Sequence, residues 1–491
     1  MRIVQIASIL ACGDGISNCA LALADLLEEA GYQNVMASNY VDPRLQYKEI
    51  IEFDYVEDFC LDMDDIIVYH FSIGANLNRI IEELPNKKIL VYHNVTPGEF
   101  FRGVDDELMV RCLWGILDAE NTAGNYLKCI AMSEFSKADL VRYGWNETDI
   151  ETIPLIAGFR EEICARCDKR ILERYSDGLR NFLFVGRIVP HKKIEDIIRI
   201  FAYYQKNIYC NTRLILIGSI GYKNYYNALE KYIEELGVRN VILTGHVPNE
   251  ELEAYYAVSD LFLCMSEHEG FCMPLIEAMG RGIPVLAYAA AAVPETMGNA
   301  GILLESKEEE AVCRHINHIF QDNHYRENLI KGEQERVAQV NIDRYRDKLF
   351  ALIHKVIDIG DYTYKSEQGI LKIGTEITLI NQWENLNSTI LIQNDVPIIL
   401  YGIGKVGRKL YAELVDGGCR QIAACCDNSY PEETFGGVPV LKHELCVKRY
   451  PKAVYIITIQ RNHVQIVVDL VKSGINENQI VFWGNKKGFY V

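Results

Sequence analysis

The chain predicts an α/β protein made of successive parallel-sheet units. Three observations carry this reading. Short apolar runs rich in β-branched residues alternate with helix-length amphipathic segments. The alternation restarts at Asn181 and again at Pro397. The length of 491 residues suits about three domains of ordinary size. Apolar residues make up 49% and charged residues 24%. Each unit can therefore bury its own core, and disorder throughout is excluded.

In the first unit IVQIASI, QNVMAS, DIIVYHF, KKILVYH and YLKCIAMS read as strands. SNCALALADLLEEAG reads as the first helix, stopped near Gly31. Pro154 marks a connection. The second unit opens with FLFVGR, followed by helix IEDIIRIFAYYQK, strand RLILIGS and helix NYYNALEKYIEELG. NVILTG, a helix around LEAYYAV, DLFLCMS, helix PLIEAMGRG and PVLAYA follow. Helices containing HINHIF and YRDKLFALIHKVI close it. The third runs IILYG, KVGRKLYAELV, IAACCD, VYIITI, HVQIVVDLVKSG, IVFW. The expected divisions are 1–170, 171–340, a closing helix at 341–358, a more polar linker at 359–395 with some local structure, and 396–491.

The net charge of −18 argues against a nucleic-acid binder, whose footprint is a basic excess. It also weakens attraction to anionic lipid, although a local basic patch can still act. No apolar stretch approaches the ~20 residues of a membrane-spanning helix. The run after Arg2 is short and interrupted by Gln5, so it reads as a strand entering a glycine loop rather than as a secretion signal. Fifteen scattered cysteines read as reduced thiols. Cys164-Ala-Arg-Cys167 lacks the second pair that a zinc site needs. A cytoplasmic location follows, with peripheral contact at the inner membrane face as the only membrane association expected.

Strand FLFV ends in Gly186-Arg187, and Lys192 and Lys193 follow Pro190. Ligands of open α/β sheets bind at the carboxyl ends of strands, where Arg and Lys can neutralise a diphosphate. Residues 160–213 hold 12 basic and 7 acidic side chains, locally positive in an acidic chain. Glu269-Gly-Phe-Cys-Met-Pro-Leu-Ile-Glu277 is the sharpest feature. Pro274 suits a first helical position, and Glu277 then lies one turn inside. Two carboxylates could flank one ligand while the helix N-terminus offers amides to it. Carboxylate-to-hydroxyl bonds suit a sugar or a ribose.

VGRIVPHKK, LTGHV and EGFCMPLIEAMGRGIPVLA together resemble the family 4 retaining glycosyltransferases, which have the GT-B fold. The resemblance covers about residues 1–358 and is strongest in 181–305. It implies two facing Rossmann-like domains, with the acceptor mainly on 1–170 and a nucleoside-diphosphate sugar, UDP- or GDP-hexose, on 171–340. It implies donor-diphosphate contacts by Arg187 and Lys192, ribose binding by Glu277, and sugar contacts by Glu269 with Gly270 and Phe271. Gly245-His246-Val247 matches the loop that lines the base. Lys193 departs from the family, where a glycine is usual, and so do Ala289–Ala292 before Pro294-Glu295, where glycines are frequent.

The first unit agrees with this. Gly13-Asp14-Gly15 follows the first strand and precedes a helix, so its amides can meet a phosphate across the cleft. His93-Asn94 ends strand ILVY, where the resemblance implies approach to the transferred sugar. Asp62-Met-Asp64-Asp65 could hold a cation in another glycosyltransferase fold, but directly before a strand it reads as a solvated turn. The resemblance implies no essential metal or cofactor.

The third unit carries Gly402-x-Gly404-x-x-Gly407 between a strand and a helix, with Asp427 ending the next strand. This is the dinucleotide-fold fingerprint in context. It resembles small nucleotide-binding-like domains appended to bacterial sugar-modifying enzymes. An unidentified nucleotide and a ligand-free packing role both remain open for it.

The expected activity is transfer of a hexose, with retention, to a glycan or glycolipid acceptor in bacterial surface-polysaccharide or lipopolysaccharide biosynthesis. The alternatives are a nucleotide-sugar epimerase or phosphorylase of the same fold, and a catalytically inactive nucleotide-sugar-binding scaffold.

Overall fold

A computed structural model describes residues 1–45, 50–52, 61–155, 167–359, 371–373, 376–380, 389–392, 396–416, 419–428, 430, 432–458, 463–476 and 479–482. Cys164 of the CxxC lies outside the described residues. The first unit contains strands β1 (Ile3–Ala7), β2 (Asn34–Ser38), β3 (Ile50–Glu52), β4 (Ile66–Phe71), β5 (Lys87–Tyr92), β6 (Lys128–Ala131) and β7 (Ile150–Thr152). They form one parallel sheet in the order β3-β2-β1-β4-β5-β6-β7. Strands β1, β2 and β4 are buried along their whole length, which explains their near-continuous apolar sequence. The order reverses between β1 and β4, so a crevice opens beyond their carboxyl ends. Helices α1 (Gly15–Glu29), α2 (Asn76–Glu83), α3 (Asp106–Asn121) and α4 (Glu134–Arg142) connect the strands. Asp14 caps α1 by accepting from the Ser17 amide at 3.0 Å. The turn expected at Asp62–Asp65 is only partly solvated. Asp65 is buried and pairs with Arg2 at 2.5 Å.

Helix α5 (Lys169–Tyr175) leads into the second unit. Its strands are β8 (Arg180–Val185), β9 (Thr212–Ile217), β10 (Val241–Gly245), β11 (Leu261–Cys264), β12 (Val285–Tyr288) and β13 (Ile302–Leu304). They are parallel in the order β10-β9-β8-β11-β12-β13, with the reversal between β8 and β11. Helices α6 (Ile194–Asn207), α7 (Lys223–Leu236), α8 (Asn249–Ala257), α9 (Met273–Gly280), α10 (Val293–Met297), α11 (Glu309–Gln321) and α12 (Asn323–Val340) cover it. Helix α13 (Arg346–Ile357) then returns to the first unit. There Tyr32 Oη meets His354 Nε2 at 2.7 Å, and the Tyr32 ring stacks on Phe350. One apolar cluster joins Leu23 and Ile130 of the first unit to Phe262 and Leu275 of the second and Leu349 of α13.

Within 359–395, β14 (Leu371–Ile373), β15 (Glu376–Ile380) and β16 (Thr389–Ile392) form a small antiparallel sheet. The last sheet has β17 (Ile398–Tyr401), β18 (Ile422–Cys426), β19 (Thr434–Phe435), β20 (Val438–Leu441), β21 (Val454–Ile457) and β22 (Ile480–Phe482). Its order is β19-β20-β18-β17-β21-β22, parallel except for β19. Helices α14 (Lys405–Asp416), α15 (His443–Arg449) and α16 (His463–Lys472) accompany it. Helix α16 packs on α3 of the first unit, and Lys472 meets Asp106 at 3.5 Å. Among the described residues no helix is long and apolar enough to cross a membrane.

One buried carboxyl makes stability depend on pH. Glu333 on α12 is fully buried. Its Oε1 accepts from the Val285 amide at 2.8 Å, whereas its Oε2 has no partner. Burial raises the carboxyl from 4.5 to about 8, against the pull of the Val285 amide. Between those values the folded chain holds a proton that the unfolded chain has released, so stability falls as pH rises through that window. Glu333→Gln removes the titration. Its advantage over the parent in thermal melts should grow by about 2–4 kcal/mol from pH 5 to pH 9. A difference that stays constant with pH would assign the effect elsewhere.

Candidate functional site

The site lies where the carboxyl ends of the first two sheets face one another. After β8, Gly186 (φ 153°) leads to Arg187, which is exposed. A 3-10 turn, Pro190–Lys192, then enters α6. Lys193 joins turn to helix in the left-handed region, φ 53°. That conformation explains the glycine usual there, and Lys193 sustains it with ion pairs to Glu195 at 3.6 Å and Glu267 at 3.4 Å.

Lys192 Nζ lies 2.5 Å from Glu269 Oε2, and the carboxylate is buried. Burial disfavours the ammonium, but the charge and hydrogen bond of Glu269 together with the Cys272 and Cys264 sulfurs hold Lys192 above its ordinary value. Glu269 sits in the loop between β11 and α9. Helix α9 begins at Met273, so Pro274 is its second residue rather than its first. Glu277 lies one turn inside, and its Oε2 accepts from Tyr256 Oη at 2.8 Å. Arg281 donates to the Glu277 carbonyl at 2.8 Å and lies over the Tyr256 ring. Cys272, at the N-cap of α9, has φ 72°. Its thiol, the Cys264 thiol and a Glu269 oxygen lie within 4.8 Å of one another. Lys192 supplies this group with a cation.

The first unit closes on that loop. Gly270 leaves no room for a side chain: a Cβ there would stand 2.6 Å from the His93 carbonyl oxygen and 2.9 Å from Asn94 Cβ. The Gly270 carbonyl accepts from Ser133 Oγ at 2.7 Å and Ser136 Oγ at 3.3 Å. Glu295 reaches across to accept from the amides of Glu134 at 2.8 Å and Phe135 at 3.2 Å. Its carboxylate thus meets the positive end of α4. Phe271 is buried behind the loop. Gly13 (φ 74°) faces His246, since a Cβ would stand 3.2 Å from His246 Cε1. Gly15 likewise faces Met273. Gly245 (φ 72°) ends β10, and Val247 is half-buried beyond it.

His93 Nε2 lies 2.9 Å from His70 Nδ1, and His70 Nε2 lies 2.9 Å from Gln5 Oε1. Burial lowers both imidazoles, His93 to about 3, so both are neutral near pH 7. Phe100 and Phe101 pack on the buried His191 from the first unit's side of the cleft.

The fold therefore brings His93, Lys192, Glu269, Gly270, Phe271 and Glu277 to one cleft, with the Gly13 loop against His246. Gly402, Gly404, Gly407 and Asp427 stand apart, at the carboxyl ends of β17 and β18. There Asp427 Oδ2 accepts from the Ile403 amide at 2.9 Å, so it braces the glycine loop. A Cβ at Gly407 would fall 2.0 Å from the Gly402 carbonyl oxygen, which explains that glycine as close packing. Sequence reasoning missed His70, Asn94, Ser133, Ser136 and His268. The dipeptide His93-Asn94 and the triplet Glu267-His268-Glu269 carried a signal for two of them.

Fold and site define a chain with two facing parallel α/β units and a carboxylate–ammonium pair at their joint. This is the GT-B architecture. Residues 173–336 match the family described as "Glycosyl transferases group 1". The O-antigen chain mannosyltransferase B of Escherichia coli is 27% identical over 204 residues, 40% of this chain and 52% of that protein. A GDP-mannose-dependent alpha-(1-6)-phosphatidylinositol monomannoside mannosyltransferase of Mycolicibacterium smegmatis is 28% identical over 31% of this chain and 42% of its own length. The chain thus spans about half the length of the curated relatives it matches. Anabaena Alr3699/HepE, solved with UDP-glucose, superposes with a TM-score of 0.57 at 15% identity, over 72% of this chain and all of HepE.

Two substitutions probe this geometry. Lys193→Gly relieves the left-handed strain and loses only partly exposed ion pairs. It should raise stability by about 0.5–1 kcal/mol in urea melts, and a loss instead would mean the ion pairs dominate. Gly270→Ala forces the loop away from β5. It should cost about 1–3 kcal/mol and increase the radius of gyration in small-angle X-ray scattering. Unchanged scattering and melting would contradict the contact.

Proposed function

We propose that the protein transfers a hexose from a nucleoside-diphosphate sugar to a glycan or glycolipid acceptor, with retained anomeric configuration. The observation that carries this is the Lys192–Glu269 pair beside the N-terminus of α9, within the segment that matches the glycosyltransferase family. The names of relatives favour a mannosyl donor and a surface-polysaccharide or glycolipid acceptor, while HepE was solved with UDP-glucose. A UDP- or GDP-hexose is thus the donor class.

In this reading the diphosphate lies between Arg187, Lys192 and the first amides of α9. Glu277, already oriented by Tyr256, accepts from ribose hydroxyls. Glu269 and the neutral His93 face the hexose. The bond from the anomeric carbon to the diphosphate breaks, and the acceptor oxygen bonds to the same face of that carbon. The acceptor proton passes to the departing phosphate oxygen. Arg187 and Lys192 stabilise the charge that develops, so metal is not required for neutralisation. Closure of the two units excludes water that would hydrolyse the donor. Work at the cytoplasmic membrane face suits a lipid-linked acceptor. The C-terminal sheet, with its glycine loop, is proposed as a Rossmann-like domain that binds a nucleotide or packs against a partner.

Transfer from a panel of UDP- and GDP-hexoses tests this. Arg187→Ala and Lys192→Ala should each lower kcat/KM by about 10²–10³-fold, the usual loss for one donor to a developing oxyanion. Parent-like transfer by Arg187→Ala would sink the donor-site assignment.

A further inference from the structure

Asn94 follows His93 at the end of β5 with φ 71°. Asparagine tolerates this left-handed backbone better than most residues, but its side chain does more. Asn94 Nδ2 donates to Asp139 Oδ2 at 3.0 Å and to Ser136 Oγ at 3.2 Å. Asp139 also accepts from Arg142 at 2.5 Å, so its carboxylate acts only as an acceptor. The amide nitrogen of Asn94 must therefore face Asp139, and the amide oxygen must face the other way. His268 Nε2 lies 2.8 Å from that oxygen. An oxygen acceptor there requires the proton on Nε2. The chain Asp139–Asn94–His268 crosses from one unit to the other and fixes a tautomer in the donor loop.

His268 immediately precedes Glu269 and is 8% exposed. Burial lowers its imidazole to about 4, so it is neutral near pH 7 and Nδ1 carries a lone pair. The ring's hydrogen bond among the described residues runs through Nε2, and none is made by Nδ1. Phe100, Phe135 and His191 pack around the ring. The charged groups facing it are Glu269 on its own loop and Lys192 on the turn after β8, with Asp139 and Arg142 of α4 behind Asn94. A bare nitrogen acceptor beside the sugar-facing glutamate suits a hydroxyl, which donates. A phosphate or carboxylate oxygen offers it nothing.

We infer that His268 recognises the bound hexose by accepting a hydrogen bond from one of its hydroxyls through Nδ1, and that Asn94 and Asp139 are positioning residues that hold this tautomer from the opposite unit. The inference rests on the glycosyltransferase reading above. It makes sugar recognition depend on the two units being together, because the groups that set the histidine lie across the cleft from it.

The test uses the full chain and begins without substrate. Nitrogen-15 NMR of histidine-labelled protein, with His268 assigned by its loss in His268→Gln, should report the Nε2–H tautomer. Asp139→Asn is close to isosteric, and its amide can donate to Asn94 Oδ1. Asn94 can then turn its nitrogen toward His268, so the second tautomer should appear while circular dichroism stays parental. Donor KM should rise about 10-fold, as for one lost neutral hydrogen bond. A donor lacking the contacted hydroxyl should be used equally by parent and Asp139→Asn, a pattern that mere loosening of the fold would not give. A parental Nδ1–H tautomer, or an Asp139→Asn protein with unchanged tautomer and KM, overturns the inference. So does a mixed tautomer with no change toward any deoxy donor. A parent that transfers from no nucleotide sugar overturns the underlying reading instead, and the substrate-free spectrum is unaffected by that failure.

Discussion

The ion pair between Lys192 and Glu269 is the interaction on which the site depends. Both groups lie at the joint of two units, largely out of water, where an uncompensated charge costs several kcal/mol. Each is tolerable because the other is 2.5 Å away. The pair also fixes two pieces of backbone, the turn after β8 and the loop after β11. These lie at the carboxyl ends of the strands where the second sheet reverses order.

The rest of the joint is arranged around that loop. Gly270 can lie against the end of β5 only because it has no side chain. Ser133 and Ser136 take its carbonyl, Asn94 takes His268, and Glu295 returns a carboxylate to the start of α4. These contacts are polar, and they replace water on both surfaces. Polar interfaces of this kind separate and re-form more readily than the apolar cluster under α13. The return of α13 to Tyr32 therefore keeps the units joined, while the cleft contacts define their closed arrangement.

Much of this was legible in the sequence because it rests on local rules. Alternating apolar runs located the long strands of all three parallel sheets. Gly186-Arg187, the lysine pair and the spaced glutamates fell at strand ends, where an open sheet binds ligands. The strands missed were short ones, such as β3, β13 and β19, whose few residues give periodicity nothing to act on. The missed site residues have a different cause. Asn94, Ser133 and His268 matter through partners more than 130 residues away, and no local pattern encodes such a pairing. Asp427 was legible as a strand-end carboxylate, but not its use in holding the Ile403 amide. The left-handed backbone at Cys272 was also hidden, because cysteine is not a type that signals it, whereas at Lys193 the glycine usual in the resembling family was the one hint.

The third sheet bears on the same cleft by a mechanical route. Helix α16 packs on α3. The segment before α3 is the loop that carries Phe100 and Phe101 against His191. Helix α3 is also fitted closely to the loop after β4. The Gly74 amide donates to the Arg111 carbonyl at 2.9 Å, and a Cβ at Gly115 would fall 2.8 Å from the Gly74 nitrogen. With a loop pressed on one side and α16 on another, α3 has little freedom to shift. The packing of α16 on α3 thus constrains the first unit's side of the cleft.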